Sequence, residues 1–451
     1  MANGELEKSV GIEIYSTPEI EGISGIYKHS YKDFIVKEIT SNGNILEIKD
    51  DYQAHSFSED SKDRYTTFNL IKVNKDSFEA LREISQALRV PLHLIYYSGL
   101  KDKCSISVQK VSVKGNFVEK LKKLKLRDLF FRSIKPTKKA IKIGGNKGNN
   151  FTIVIRNIKN VGKIKERIED IINVLNLKGF PNYFGLQRFG TFRTNSHVVG
   201  RYLLENNYER AFNEFVTTNY STESPHIQLM RQNLKISGDL EEFYENFPKS
   251  MKFERDMVKY LIDHPGDYKG TFTTLPVDLK NLLISAFQSY LFNKMITLRV
   301  KKGFSLNEPV NGDVISILDD EKGYITQIKY IYGERGGRYD KYLKKAIKLN
   351  RATIVVPIVG YQTDLDDFPL IKAVFEELIE QEGIDKNIFR SNVLRDIEFK
   401  GAIKAMTVKP IGLKVIEFED DDIFPDKKKL KIEYSLPKGS YATVLLRELM
   451  K

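Results

Sequence analysis

The segment Gly99-Leu-Lys-Asp-Lys103 lies between Leu92-His-Leu-Ile-Tyr-Tyr-Ser98 and Ile106-Ser-Val-Gln-Lys-Val-Ser-Val113. The first flank reads as a buried strand and the second as its alternating successor, so Asp102 is expected in a loop between two strands. Ammonium groups on both sides favour the ionised form of a carboxylate. Asp102 is therefore a poor proton donor but a usable nucleophile or anionic stabiliser.

Working outward, Phe34-Ile-Val-Lys-Glu-Ile39 alternates like a strand, with Phe34, Val36 and Glu38 on one face. Asp76-Ser-Phe-Glu79 is a capping-box pattern that opens a helix. Its predicted buried side carries Phe78, Leu81, Ser85 and Leu88, and Pro91 stops it. Phe151 to Arg156 reads as a strand entered from the turn Gly144-Gly-Asn-Lys-Gly148. A helix with Ile164, Ile168, Ile171, Ile172 and Leu175 follows and ends at Gly179.

Beyond Gly179 the patterns turn helical, including Leu279 to Val300. Strand-like segments return near residue 400 and close with Lys431 to Leu436 and Ala442 to Leu446. The acidic run Glu417 to Asp422 faces Lys427-Lys-Lys429 and reads as a solvated loop. The fold class is α/β (α+β): a mixed-sheet catalytic domain, 1–178 and 405–451, interrupted by a largely helical insertion, 179–404.

The net charge of +12 is concentrated. Between Lys101 and Gly148 stand fifteen Lys or Arg against Asp102, Glu119 and Asp128, so this block carries the whole excess. Such a block is the electrostatic footprint of a polyanion partner, the bland alternative being a solvated lysine-rich face. No comparable basic block is expected after Gly179. A single cysteine excludes an internal disulfide and any CxxC metal pair, and the six histidines form no HExxH, so no metal site is expected. No apolar run is long enough for a bilayer, and the amino terminus carries Glu5 and Glu7, so neither a membrane span nor a secretory signal is expected. The cytoplasm is the expected compartment, or the nucleus in an organism that has one.

Four blocks occur in order: Gly99-Leu-Lys-Asp-Lys103 with Gln109, Gly148-Asn-Asn-Phe151, Asn182-Tyr-Phe-Gly-Leu-Gln-Arg-Phe-Gly190 and Leu436-Pro-Lys-Gly-Ser-Tyr-Ala-Thr443. Together they resemble the TruD family of pseudouridine synthases, from about Gly25 to the carboxyl end. Weaker matches lie in Gln288-Ser-Tyr-Leu-Phe-Asn293 and Pro357-Ile-Val-Gly-Tyr361. The length is similar to that of the archaeal and eukaryotic branch.

The resemblance implies a V-shaped molecule with a basic cleft that isomerises one uridine in an RNA chain, without cofactor. The RNA is expected to be tRNA, at position 13 in the D arm or, second, position 35 of tyrosine tRNA. Asp102 carries over as the catalytic carboxylate. Lys28 matches a basic position of the family and is expected to pair with Asp102. Phe34 and Glu38 match the family's Phe-x-x-x-Glu strand, with Phe34 equally readable as a core residue. Phe151 is the candidate for stacking on a flipped base, and Asn149 for bonding the uracil edge, with a plain turn residue as its alternative. Lys101 and Lys103 are expected to contact phosphate or tune Asp102, and Gln109 to buttress the loop. Lys404 stands where the family commonly has Arg, which puts a bidentate phosphate contact in doubt.

A non-catalytic RNA-binding protein or chaperone of the same fold is the alternative reading. A uracil methyltransferase would need a cysteine nucleophile and a methyl-donor site. Cys104 is the only thiol, and no glycine-rich strand-to-helix fingerprint accompanies it. A monomer is expected.

Overall fold

The computed structural model describes residues 2–52, 64–190, 193–319, 325–390, 397 and 399–451. The chain forms two compact units: a sheet unit of Ser16–Phe180 with Val408–Lys451, and a second of Met1–Tyr15 with Pro181–Thr407. The first fifteen residues thus belong with the long internal segment, which the domain expectation of 1–178 did not foresee.

The sheet unit is built on strands β1 (Phe34–Ile39), β2 (Tyr65–Val73), β3 (Ile106–Lys114), β4 (Leu129–Thr137), β5 (Gly148–Lys159), β6 (Ile411–Asp420) and β7 (Lys427–Pro437). They are ordered β6-β7-β5-β1-β3-β2-β4. Only the central β1–β3 pair is parallel among these neighbours, so the sheet is mixed. Two short strands, Ile26–Tyr27 on β5 and Ile95–Tyr97 on β3, complete nine.

Helix α1 (Ser77–Leu88) begins where the Asp76 carboxylate accepts the amides of Phe78 and Glu79, two of the donors a helix start leaves unpaired. It buries Ala80, Leu81, Ile84 and Leu88 against Phe68, Leu70, Val111, Val113 and Phe131 of the sheet. Phe78 is 47% exposed, so the buried stripe runs through Ala80 and Ile84 instead. Helix α2 (Ile164–Lys178) buries the five expected apolar residues and ends at Gly179, whose φ of 75° few side chains tolerate.

Two sequence expectations near the carboxyl end change. Ala442–Met450 is a helix, because Val444, Leu445, Leu446 and Leu449 are all buried in one and two turns rather than in alternation. The acidic run is largely strand rather than loop: Glu417, Glu419 and Asp420 lie opposite Lys431, Lys429 and Lys428 in the β6–β7 ladder. These exposed pairs add little stability each, at most about 1 kcal/mol. The two acids that leave the strand do more. Arg156 on β5 reaches Asp33 at 2.9 Å, Asp421 at 3.0 Å and Asp422 at 2.9 Å. Its guanidinium pKa is raised, foremost by the hydrogen bond to Asp33.

The second unit is not purely helical. It carries a four-stranded antiparallel sheet ordered Ile325–Ile331, Val314–Leu318, Ala352–Ile358, Ala402–Ala405. Helix α3 (Val277–Lys301) is buried around much of its circumference, including Phe287, Leu291, Phe292 and Met295, which is why it shows no clean amphipathic stripe. The Asn182–Gly190 block docks on it. Asn293 accepts the Phe184 amide at 2.9 Å and donates to the carbonyls of Phe184 and Val10 at 3.0 Å each. The Tyr183 and Thr297 hydroxyls bond at 2.8 Å, and Arg188 donates to Ser289 at 3.2 Å. Gln288 donates to the Val359 carbonyl at 2.7 Å, so three of the matched motifs meet in one place. Lys404 is buried with its ammonium on the Asn182 carbonyl and 4.9 Å from the Phe184 ring centre, so it is structural and makes no phosphate contact.

Replacing Arg156 by Met would leave Asp33 and Asp421 buried without their cation. The expected cost is about 3–5 kcal/mol, read from urea unfolding curves. A loss below about 1 kcal/mol would show that the clamp is not structural.

Candidate active site around Asp102

The Gly99–Ser105 loop leaves the Ile95–Tyr97 strand and enters β3. One carboxylate ties it down. Glu38 on β1 receives Lys101 Nζ at 2.9 Å, the Ser98 hydroxyl at 2.5 Å and the Lys110 amide at 3.2 Å. These donors stand before, within and after the loop. The Ser77 hydroxyl at the start of α1 donates to the Lys101 carbonyl at 2.9 Å and accepts its amide at 3.1 Å.

Within this frame Asp102 is gripped at two points. Its Oδ2 accepts Lys28 Nζ at 3.1 Å, with the carboxylate side chain 34% exposed and Lys28 17%. Its main-chain carbonyl accepts the Ser105 hydroxyl at 2.7 Å and the ammonium of Lys72. Lys28 adopts a φ of 57°, a left-handed backbone unusual for a side-chain-bearing residue. Its ammonium also rests 4.1 Å from the Phe34 ring centre, a cation–π arrangement. Cys104 packs beside it, its thiol 4.0 Å from the Lys28 carbonyl, a packing role rather than a nucleophilic one.

Lys72 is a site residue that sequence reasoning passed over. It sits in the middle of β2, 1% exposed, where an apolar residue would be ordinary. Its appearance in an otherwise buried strand, Tyr65–Val73, is the signal that could have found it. Burial pushes its pKa down to about 8, against the opposing pull of Asp102 and Asp76, with Lys101 and Lys28 reinforcing the drop.

Strand register assembles the rest. Tyr434, Phe151, Val36, Ser107 and Lys72 lie opposite one another across β7, β5, β1, β3 and β2. The next row holds Leu436, Asn149 and Glu38, and the parallel β1–β3 register brings Gln109 beside Glu38. Partners in register share a face, so these rows lie on one side of the sheet. Asn149 is a strand residue, not a turn residue, because β5 begins at Gly148, where a Cβ would stand 2.1 Å from the Leu436 carbonyl oxygen. Asn149 Oδ1, Ser107 Oγ and Gln109 Oε1 are buried without a hydrogen-bond partner. Phe34 and Phe151 meet edge to face at 6.1 Å, and Phe151 also packs on Tyr434 at 5.5 Å. Phe34 is 1% exposed and Phe151 6%, so both are chiefly packed rings.

The expected residues therefore separate. Lys28, Asp102, Phe34, Phe151 and Asn149 belong to one wall. Lys101 and Glu38 neutralise each other, at 4% and 2% exposure, so Lys101 is not free for phosphate. Gln109 is buried, and its Oε1 has no hydrogen-bond partner among the described residues, so it does not grip through that oxygen the loop it was expected to buttress. Lys103 is exposed and is the loop cation open to solvent. Among the described residues no group of His, Cys, Asp and Glu could hold a metal ion, and no helix is long and apolar enough to cross a membrane.

A family model described as tRNA pseudouridine synthase D (TruD) matches residues 9–449. The chain belongs to the TruD family. It is 31% identical to "Probable tRNA pseudouridine synthase D" of Methanosarcina barkeri over 449 residues, covering 99% of this chain and 98% of that protein. A Methanopyrus kandleri protein of the same name is 32% identical over 387 residues, 86% of this chain and 85% of its own. A solved TruD structure from Methanosarcina mazei superposes with a TM-score of 0.78 at 29% identity, over 99% of this chain and 98% of that one. The chain is thus a TruD-type tRNA pseudouridine synthase, an isomerase with an RNA substrate, and its mixed-sheet α/β architecture is that of its family.

Lys72 gives a signature in stability. Its folded pKa of about 8 lies below the ordinary 10.5. At pH below about 8 both folded and unfolded chains carry the charge, and the folded chain bears the full cost of burying it. Between about pH 8 and 10.5 the unfolded chain holds more protons, so stability rises with pH. The stability of the parent relative to Lys72→Met should increase by up to about 3 kcal/mol across that window, measured by urea unfolding at both ends. A flat difference would mean that Lys72 is not desolvated.

Proposed function

We propose that this synthase converts one uridine of tRNA to pseudouridine through Asp102 and consumes no cofactor. The observation that carries the reading is the Asp102 carboxylate itself, one-third exposed, held by Lys28 and fixed through its own carbonyl. The N1–C1′ bond of the nucleotide breaks and a C5–C1′ bond forms, while C5 loses a proton and N1 gains one. Product and substrate are isomers, so no electrons or atoms need be supplied. Positive charge develops on the sugar as the first bond breaks, and an adjacent fixed carboxylate stabilises or traps it.

The neighbouring wall suits a flipped uracil. Asn149 Oδ1, a buried acceptor with no partner, would take the N3–H of the base, and Phe151, backed by Phe34, would supply an apolar floor. Lys103 is available for the backbone. Everting the base costs a few kcal/mol, which backbone and floor contacts must offset. Position 13 of the D arm is the first target and position 35 of tyrosine tRNA the second. The second unit acts in substrate choice, and the enzyme works as a monomer.

Asp102→Asn should lower pseudouridine formation by at least about a thousand-fold while tRNA affinity stays within a few-fold. Site-resolved mapping of modified uridines in tRNA transcripts measures the first and filter binding the second. Equal pseudouridine from variant and parent would remove Asp102 from the chemistry. Modification at neither position 13 nor 35 would overturn the target.

A further inference from the structure

The second unit holds a surface that the catalytic reading leaves unused. Between Ile325 and Arg351 the sequence carries eight Lys or Arg, two acids and four tyrosines. This corrects the expectation that no basic block follows Gly179. Its helix α4 (Asp340–Lys348) buries Leu343 against Ile315 and Ala352. At helical spacing the opposite face carries Lys341, Lys345 and Lys348, all exposed. None of the three has a carboxylate within ion-pair distance among the described residues. Tyr342, 70% exposed, borders the same face.

Beside this helix lies a cavity of about 360 Å³ between it and the strand Ile325–Ile331. Tyr330 and Tyr339 line it, their ring centres 6.1 Å apart and their planes at 47°. Both rings are about two-fifths exposed, at 41% and 39%. The carboxylates of Glu334, Asp340 and Asp367 line the same cavity with one ammonium, Lys329, which stands 3.7 Å from Asp367, and Leu343 and Val314 add apolar lining. Asp340 spends one oxygen on the Gly333 amide at 3.1 Å. Glu334 has no ion-pair or hydrogen-bond partner among the described residues.

Unpaired cations on one helical face attract a phosphate chain. Half-exposed rings lining a small cavity offer aromatic surface to an unstacked base. With Lys329 matched by Asp367, the carboxylates of Glu334 and Asp340 remain to accept from exocyclic amines, as on cytosine or adenine, and disfavour a phosphate there. We propose that this surface is a second RNA subsite, taking one unpaired nucleotide of the tRNA with its base packed against the exposed side of the Tyr330–Tyr339 ring pair and the adjoining backbone along Lys341, Lys345 and Lys348. The inference rests on the tRNA reading above and names where, on the second unit, a further part of that substrate is held.

Three proteins test it: Lys341→Gln/Lys345→Gln/Lys348→Gln, Tyr330→Ala/Tyr339→Ala, and Tyr330→Phe/Tyr339→Phe. The lysine variant should weaken tRNA binding at least about ten-fold and flatten the slope of log affinity against log salt by about 2, as loss of three backbone contacts to a single strand requires. The alanine pair should weaken tRNA binding by about five-fold or more, leave heparin binding unchanged and raise KM with little change in kcat. The phenylalanine pair should bind tRNA like the parent, which separates lost stacking from a misfolded pocket. The proposal is overturned if the lysine variant keeps the parent's affinity and salt slope. It is equally overturned if the alanine pair binds tRNA like the parent or loses heparin and tRNA together. Parental protein that forms pseudouridine in tRNA while these variants bind normally sinks the subsite alone. Parental protein that forms none sinks the functional reading instead.

Discussion

The buried ion pair between Glu38 and Lys101 is the constraint on which the Gly99–Ser105 loop depends. Removing two charges from water is costly, and such pairs rarely add much net stability. What this one supplies is geometry. The Glu38 carboxylate collects donors from Ser98, Lys101 and Lys110, so both ends and the middle of the loop converge on one strand residue. Asp102, next to Lys101, then has little freedom except in its side chain, and Lys28 restricts that. Two lysines that look equivalent in the sequence, at 101 and 103, end in opposite situations: one is buried in the pair and the other is open to solvent. The Glu38 carboxylate and the Ser77 hydroxyl, both of which take Lys101 and leave Lys103 outside, distinguish them.

Much of this site was legible because its pieces are local. The loop between strands, the alternation of β1, the Asp76 cap and the stripe of α2 all follow from spacing alone, and each reappears in the structure. The misreadings share a cause. Ala442 to Leu446 is a short apolar run, and periodicity cannot separate a buried strand from a buried helix over so few residues. Glu417 to Asp422 looks solvated until β7 is placed beside it. Lys72 escaped, and so did the burial of Lys404, because sequence shows a lysine's charge but not its surroundings, and both are buried by elements distant in the chain.

The family motifs also divide by purpose. Gly99–Lys103 and Gly148–Phe151 build the wall around Asp102, whereas Asn182–Gly190, Gln288–Asn293 and Pro357–Tyr361 hold one another together inside the second unit. A long, unusual motif is commonly taken for a binding loop. Here its Tyr183 and Phe189 are wholly buried, and its conformation is set by side-chain amides that read main-chain groups. Such a segment is specific because many buried polar atoms must be satisfied at once.

The Arg156 clamp has a consequence for how the protein is made. It joins residues 265 positions apart, and β5 pairs with β7 across a similar interval. At translation rates of about 5–20 residues per second, the ribosome delivers that partner roughly 13–50 seconds late. Throughout this interval β5, with the isoleucines 153, 155 and 158 that end fully buried, presents a bare hydrogen-bonding edge. The nascent chain completes its amino-terminal architecture last, so this edge is where a chaperone or a misdirected neighbour would make first contact.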